Sequence, residues 1–239
     1  MSALTAHALR LGDQWRKRLR ERRVQWDEFI DSDALCDSHF RARSSRDHIN
    51  FDSLKLALRQ LDGAPAVILE TGTSAHGTDS TLLFDSYVRS FGGRCITVDL
   101  DPVAVNRARK RVSDQTSVYL GDSVAFLQEM SHAELGLVTF LYLDSFDVDF
   151  LDPLPAANHC LAEFIACESR LSPGTLVLID DSPASVEWFQ TYPADEYRRI
   201  QQEFAVSGLI PGKGMLLVPY LVKNGATLLH HDYQALLRI

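Results

Sequence analysis

The chain has 239 residues, 46% of them hydrophobic, enough to bury one large core without requiring a second full domain. Its formal net charge of −8 removes the broad positive field on which phosphate-backbone binding relies, so no nucleic acid partner is expected. No stretch approaches the roughly 20 apolar residues of a bilayer span, so a soluble, cytoplasmic protein without a membrane partner is expected.

From Ala3 to Phe29, Leu4, Ala8, Leu11, Trp15, Leu19, Val24 and Trp26 recur at loosely helical spacing among arginines. This predicts an amphipathic helix that packs on the body or on a second subunit, and it is the candidate element for a homodimer. Residues 1–49 read as a helical extension and 50–239 as the main domain. Between them, Asp37 to Asn50, with His39, Arg41, Arg43, Arg46 and His48, reads as either a lid or a solvated linker.

Five apolar runs follow, separated by segments of helical periodicity: AVILET at 66–71, CITVDL at 95–100, SVYLG at 117–121, LVTFLYLD at 137–144 and TLVLIDD at 175–181. Near-continuous apolar strands alternating with helices imply a parallel sheet covered on both faces, a doubly wound α/β fold. Gly92-Gly93, Asp101-Pro102 and Pro173-Gly174 punctuate the intervening helices. After a helix over Ala194 to Ser207, two apolar runs flank Lys223-Asn224-Gly225, which predicts a closing antiparallel hairpin turning at Asn-Gly. The cysteines Cys36, Cys95, Cys160 and Cys167 form no CxxC pair and read as reduced core thiols.

Three strand ends carry polar residues suited to a nucleoside. The first runs from Glu70 through Gly72 into the loop Thr73-Ser74-Ala75-His76-Gly77, where glycines allow close approach of a backbone to a ligand. The spacing is not G-x-G-x-x-G, and a carboxylate just before the first glycine suits a cationic amine better than a pyrophosphate. The second strand ends in Asp99, placed to accept from both ribose hydroxyls, while Asp101 reads as the cap of the helix after it. The third ends in Asp122-Ser123, which either faces an adenine or caps the next helix. Asp144 ends the fourth strand and Asp180-Asp181 the fifth, so three carboxylates converge on one sheet edge. Unpaired, they would repel one another, and a hard divalent cation such as Mg²⁺ would remove that cost. Helix capping or cofactor binding without a metal is the other reading.

The succession ETGTSAHG, TVDLDP, LGDS, YLDSFD and LIDDS resembles the class I S-adenosylmethionine-dependent methyltransferases, over most of the chain from about Val67 onward. The metal-dependent O-methyltransferases are the most similar, nearer the macrocin and mycinamicin sugar enzymes than the catechol type. The resemblance implies a Rossmann-like, seven-stranded, mostly parallel sheet with a C-terminal antiparallel hairpin. It implies S-adenosylmethionine as cofactor, bordered by Glu70, Gly72, Thr73, Ser74, Gly77, Asp99, Asp122, Ser123 and Asp144. It also supports a metal held by Asp144, Asp180 and Asp181, chelating a hydroxyl of a small-molecule acceptor such as a sugar or natural product. Catechol-type enzymes carry a lysine three residues after the first metal aspartate, whereas this chain has Asp147. Beside Asp144, catalytic through the metal it would hold, Asp147 reads as a further ligand or the base, and His159 as a group that could reach the same edge. Trp188, Phe189 and Tyr192 read as either core or acceptor wall, and His76 as part of the cofactor pocket. The competing expectations are a metal-independent methyltransferase on another acceptor, a non-catalytic nucleoside-binding module and, last, a nicotinamide-dependent oxidoreductase.

Overall fold

The computed structural model describes residues 31–73 and 78–239. The N-terminal helix predicted over 3–29, and Ser74, His76 and Gly77 of the glycine loop, lie outside the described residues. Seven strands, β1 (Ala66–Thr71), β2 (Gly93–Asp99), β3 (Thr116–Leu120), β4 (Phe140–Leu143), β5 (Leu176–Ile179), β6 (Thr227–His231) and β7 (Ala235–Arg238), form one sheet. Their order is β3-β2-β1-β4-β5-β7-β6, with β1 to β5 parallel and β7 antiparallel to both β5 and β6. The five parallel strands fall on the five apolar runs, and the doubly wound, seven-stranded architecture is the expected one.

Strand alternation sorts the core into two layers. Ile68, Phe140, Tyr142, Leu178 and Leu236 face the helices Ser32–Arg43, Phe51–Leu61 and Ser80–Phe91. Their neighbours Leu69, Leu141, Leu143, Val177, Ile179 and Leu237 face the helices Ser123–Glu129, Leu154–Cys167 and Gly214–Lys223. Leu35, Cys36 and Phe40 are buried in the same layer as Leu54 and Leu58, so residues 32–43 share the core of the main domain. All four cysteines are buried and free, as expected of core thiols.

The closing hairpin is present, but its position corrects the sequence reading. The run Gly214–Lys223 is a helix, whose buried Gly214, Leu217 and Leu221 recur every three to four residues. That period puts one stripe against the sheet, whereas a strand needs alternation. Asn224 and Gly225 end this helix, Gly225 with φ +95°, and the hairpin turns instead between His231 and Ala235.

The stretch from Asp37 to Asn50 is neither a detached lid nor simply solvated. His39 is 1% exposed, and its Nε2–H donates to the Thr78 carbonyl at 2.6 Å, fastening this helix to the far end of the glycine loop. Burial pushes the imidazole down to about 4. The folded chain therefore keeps His39 neutral while the unfolded chain takes up a proton below pH 6.5, so stability falls as pH drops from about 6.5 to 4. At ~1.4 kcal/mol per pH unit this approaches ~3 kcal/mol. Urea unfolding at pH 7.5 and 4.5 should show His39→Gln losing less stability on acidification than wild type.

Candidate active site

The order of the sheet reverses between β1 and β4, and it is at such a switch point that open α/β sheets bind ligands beyond the carboxyl ends of their strands. Gly72 stands there with φ +85°; a Cβ on it would lie 2.4 Å from the Asp144 carbonyl oxygen. The crossing of the two chain segments thus requires glycine. One residue on, the Thr73 amide donates to Asp99 Oδ2 at 2.7 Å, and Thr73 Oγ1 lies 2.8 Å from Thr97 Oγ1. Asp99 Oδ1 accepts from the Asp101 amide at 2.7 Å. The carboxylate at the end of β2 is thereby aimed by backbone amides on both sides. Asp101 caps the helix Pro102–Arg109 through the amides of Val103 and Ala104, as its place before proline predicts.

Glu70 is fully buried, and its oxygens accept from the Ser80 and Thr81 hydroxyls, both at 2.6 Å. Burial pushes its carboxyl up to about 7, against the pull of those hydroxyls. It anchors the start of the helix Ser80–Phe91, whose hydroxyls occupy its oxygens. Asp122 caps the helix Ser123–Glu129 through the Ala125 amide at 2.8 Å. Ser123 Oγ lies 3.1 Å from His159 Nε2, which is 3.4 Å from Glu163 Oε1. Glu163 raises the imidazole pKa, and its Oε1 also accepts from Ser145 Oγ at 2.5 Å. His159 therefore links the chain just after β3 and just after β4 instead of joining the three aspartates. Leu100 and Phe146, 66% and 51% exposed, leave apolar surface open beside Asp99 and His159.

The three aspartates do come together, with one oxygen of each of Asp144, Asp180 and Asp181 within 4.8 Å of the others. Asp180 Oδ1 accepts from Asn50 Nδ2 at 3.2 Å and from Gln234 Nε2, and Asp181 Oδ1 accepts from the Tyr233 hydroxyl. Burial, and then the neighbouring charge of Asp144, pushes Asp180 up to about 8. Asp147 is exposed on the loop after β4.

Sequence reasoning missed the group that decides the electrostatics here. Lys213, 2% exposed, donates through Nζ to Asp144 Oδ1 at 2.8 Å and lies 3.0 Å from Asp181 Oδ2. Burial alone would lower this ammonium's pKa, but Asp144, Asp180 and Asp181 hold it well above the ordinary lysine range. The signal lay in Gly212-Lys213-Gly214, a lone charge between two glycines at the edge of an apolar run, the mark of a close backbone approach. Asn50, Tyr233 and Gln234 carried no such mark, because only the fold brings them to Asp180 and Asp181. The donor set suits a hard divalent cation, yet Lys213 already bonds two of its three members. A unit charge 4 Å from another repels it by ~4 kcal/mol at an effective dielectric constant near 20, and a divalent ion would double that. With Lys213 in place, the site does not fit a metal.

Residues 69–182 match the family described as methyltransferase domain. Those residues, just under half of the chain, carry the likeness to a methyltransferase domain. Among solved structures, the domain is similar to MycE methyltransferase of the mycinamycin biosynthetic pathway in complex with Mg and S-adenosylhomocysteine. The identity is 16% and the TM-score 0.58, over 89% of this chain and 55% of that one. The chain thus spans about half the length of MycE. The same protein with Mg, S-adenosylhomocysteine and mycinamycin VI matches at a TM-score of 0.56 and 16% identity, over the same shares of the two chains. An O-methyltransferase from Bacillus cereus, in complex with S-adenosylhomocysteine, matches at 18% identity and a TM-score of 0.51, over 89% of this chain and 94% of that one. At these identities the likeness is one of fold. No curated protein matches the chain. No helix among the described residues is long and apolar enough to cross a membrane.

Proposed function

We propose that this methyltransferase domain transfers a methyl group to a hydroxyl oxygen of a small molecule, a sugar or other natural product, at the edge formed by Asp144, Asp180 and Asp181. The convergence of these carboxylates beside the strand ends that carry Gly72 and Asp99 is the observation that supports this reading. S-adenosylmethionine, when bound, supplies a methyl group activated by a sulfonium. Asp99, held by two backbone amides, accepts from the ribose hydroxyls. Thr73 borders the methionine part, and Glu70 fixes the start of the helix Ser80–Phe91 through Ser80 and Thr81. Ser123 and His159, with the open faces of Leu100 and Phe146, border the adenine. Asp122 serves there as the cap that sets Ser123.

On the acceptor side, Trp188 stacks on Tyr233 with ring centroids 5.0 Å apart, and the Tyr233 hydroxyl holds Asp181. Trp188 and Tyr192 are half-buried, while Phe189 is fully buried beneath them. Phe189 is therefore core, and Trp188 with Tyr192 forms an aromatic wall beside the acidic edge, suited to the apolar face of a sugar or an aglycone. A hydroxyl between that wall and the carboxylates meets an acceptor for its proton in Asp144, which retains 28% side-chain exposure. Asp147 and His159 stand outside that position and have no part in the proton transfer proposed. Nucleic acid and membrane partners do not enter this reading. A second copy of the chain, with the N-terminal segment as dimer element, and a cytoplasmic location stay with it as proposals.

The test is transfer of isotope-labelled methyl from S-adenosylmethionine to a panel of glycosides, phenols and amines. Label on oxygen of a glycoside or phenol is expected. Label on nitrogen, or none on any acceptor while the cofactor product binds, would overturn the assignment in favour of another acceptor or a binding module.

A further inference from the structure

Lys213 reaches the acidic edge because two segments are built to put it there. Gly212, with φ +153°, brings its backbone so close to the chain just after β5 that a Cβ would lie 2.5 Å from the Asp181 carbonyl oxygen. A Cβ on Gly214 would lie 2.6 Å from Ser182 Oγ. The Lys213 amide donates to the Asp181 carbonyl at 2.9 Å, the Gly214 amide to Ser182 Oγ at 2.8 Å, and Ser182 Oγ to the Asp180 carbonyl at 2.7 Å. Asp181 itself sits in the left-handed region at φ +43°. Residues 212–214 are thus fastened along 180–182, and the side chain between the two glycines has its ammonium against Asp144 and Asp181 while being 2% exposed.

We propose that the Lys213 ammonium stands where a divalent cation would stand, so that this edge handles the acceptor hydroxyl without a metal. This rests on the function proposed above. The acceptor oxygen bonds to the methyl carbon, the carbon–sulfur bond breaks with its electron pair going to sulfur, and the hydroxyl proton passes to Asp144. Lys213 acts through Asp144 and Asp181 as a positioning residue: it holds both carboxylates and neutralises part of their charge. A metal would do the same from the same oxygens, but the two cations exclude each other.

The experiment titrates Mn²⁺ into the full chain saturated with S-adenosylhomocysteine and reads free Mn²⁺ by electron paramagnetic resonance. It compares wild type with Lys213→Met and Lys213→Arg. Lys213→Met is expected to bind one Mn²⁺ at least ~10-fold more tightly than wild type, and Lys213→Arg, which keeps the charge, to resemble wild type. A structural role alone would not open a metal site. Uptake of one Mn²⁺ by wild type as tight as by Lys213→Met would overturn the proposal. Should Lys213→Met not fold, wild type decides: stoichiometric uptake contradicts the proposal, and none at concentrations that saturate a metal-dependent enzyme supports it. Calorimetry of S-adenosylhomocysteine on the same samples separates the two claims. Its failure to bind sinks the methyltransferase function, while Mn²⁺ taken up by wild type sinks only the role of Lys213.

Discussion

Replacing Gly72 with alanine is expected to lower the melting temperature by about 10 °C and to abolish binding of S-adenosylhomocysteine. Two costs add. The backbone at φ +85° costs an L-residue ~1–2 kcal/mol, and the new Cβ meets the Asp144 carbonyl oxygen at 2.4 Å and its carbon at 2.6 Å. Neither atom can yield as the end of a flexible side chain would, since β1 and β4 are paired up to Thr71 and Leu143, just short of the contact. Relief by moving strands belongs with overpacking, ~1–3 kcal/mol or more. Gly174 is the control. It has φ +94° but nothing within 4 Å of a Cβ, so Gly174→Ala should show the strain alone. Thermal unfolding of both variants reads the difference, and equal losses would mean that the approach of Gly72 to Asp144 is not a tight constraint.

Asp99→Ala should weaken S-adenosylhomocysteine by at least ~100-fold while leaving the chain folded. A hydrogen bond to a charged acceptor contributes ~1.5–3 kcal/mol, and the ribose offers two hydroxyls, so ~3 kcal/mol is a floor. The stability cost is that of one unmade hydrogen bond, ~1–3 kcal/mol at the fully buried Thr73, because Asp101 is exposed and water can replace the acceptor of its amide. Calorimetry with S-adenosylhomocysteine reads the affinity and circular dichroism the fold. A variant that binds within a few-fold of wild type would remove Asp99 from the cofactor site.

Much of this architecture was legible because parallel strands buried on both faces leave uninterrupted apolar runs, and AVILET became β1 residue for residue. The strand ends were legible for the same reason: once a strand is placed, Asp99, Asp144 and Asp180-Asp181 follow by position. The closing hairpin was misplaced because Asn-Gly between two apolar runs stops a helix as readily as it turns a hairpin, and Gly214–Lys223 is apolar enough to pass for either. Glu70 shows a different limit. Its place before Gly72 suggested an amine ligand, whereas the hydroxyls of Ser80 and Thr81 that occupy its oxygens belong to the next helix. Lys213, Asn50 and Gln234 lie far from the aspartates in sequence and carry no periodic signal, so contacts made only by the tertiary fold could not be read from spacing.

The most direct test of the central claim is calorimetric titration of the full chain with S-adenosylhomocysteine, and with NAD in parallel. One S-adenosylhomocysteine bound per chain, lost in Asp99→Ala, and no heat with NAD, is the result expected of a methyltransferase cofactor site at the carboxyl ends of β1 and β2. Binding of NAD, or S-adenosylhomocysteine binding that Asp99→Ala leaves intact, would contradict it.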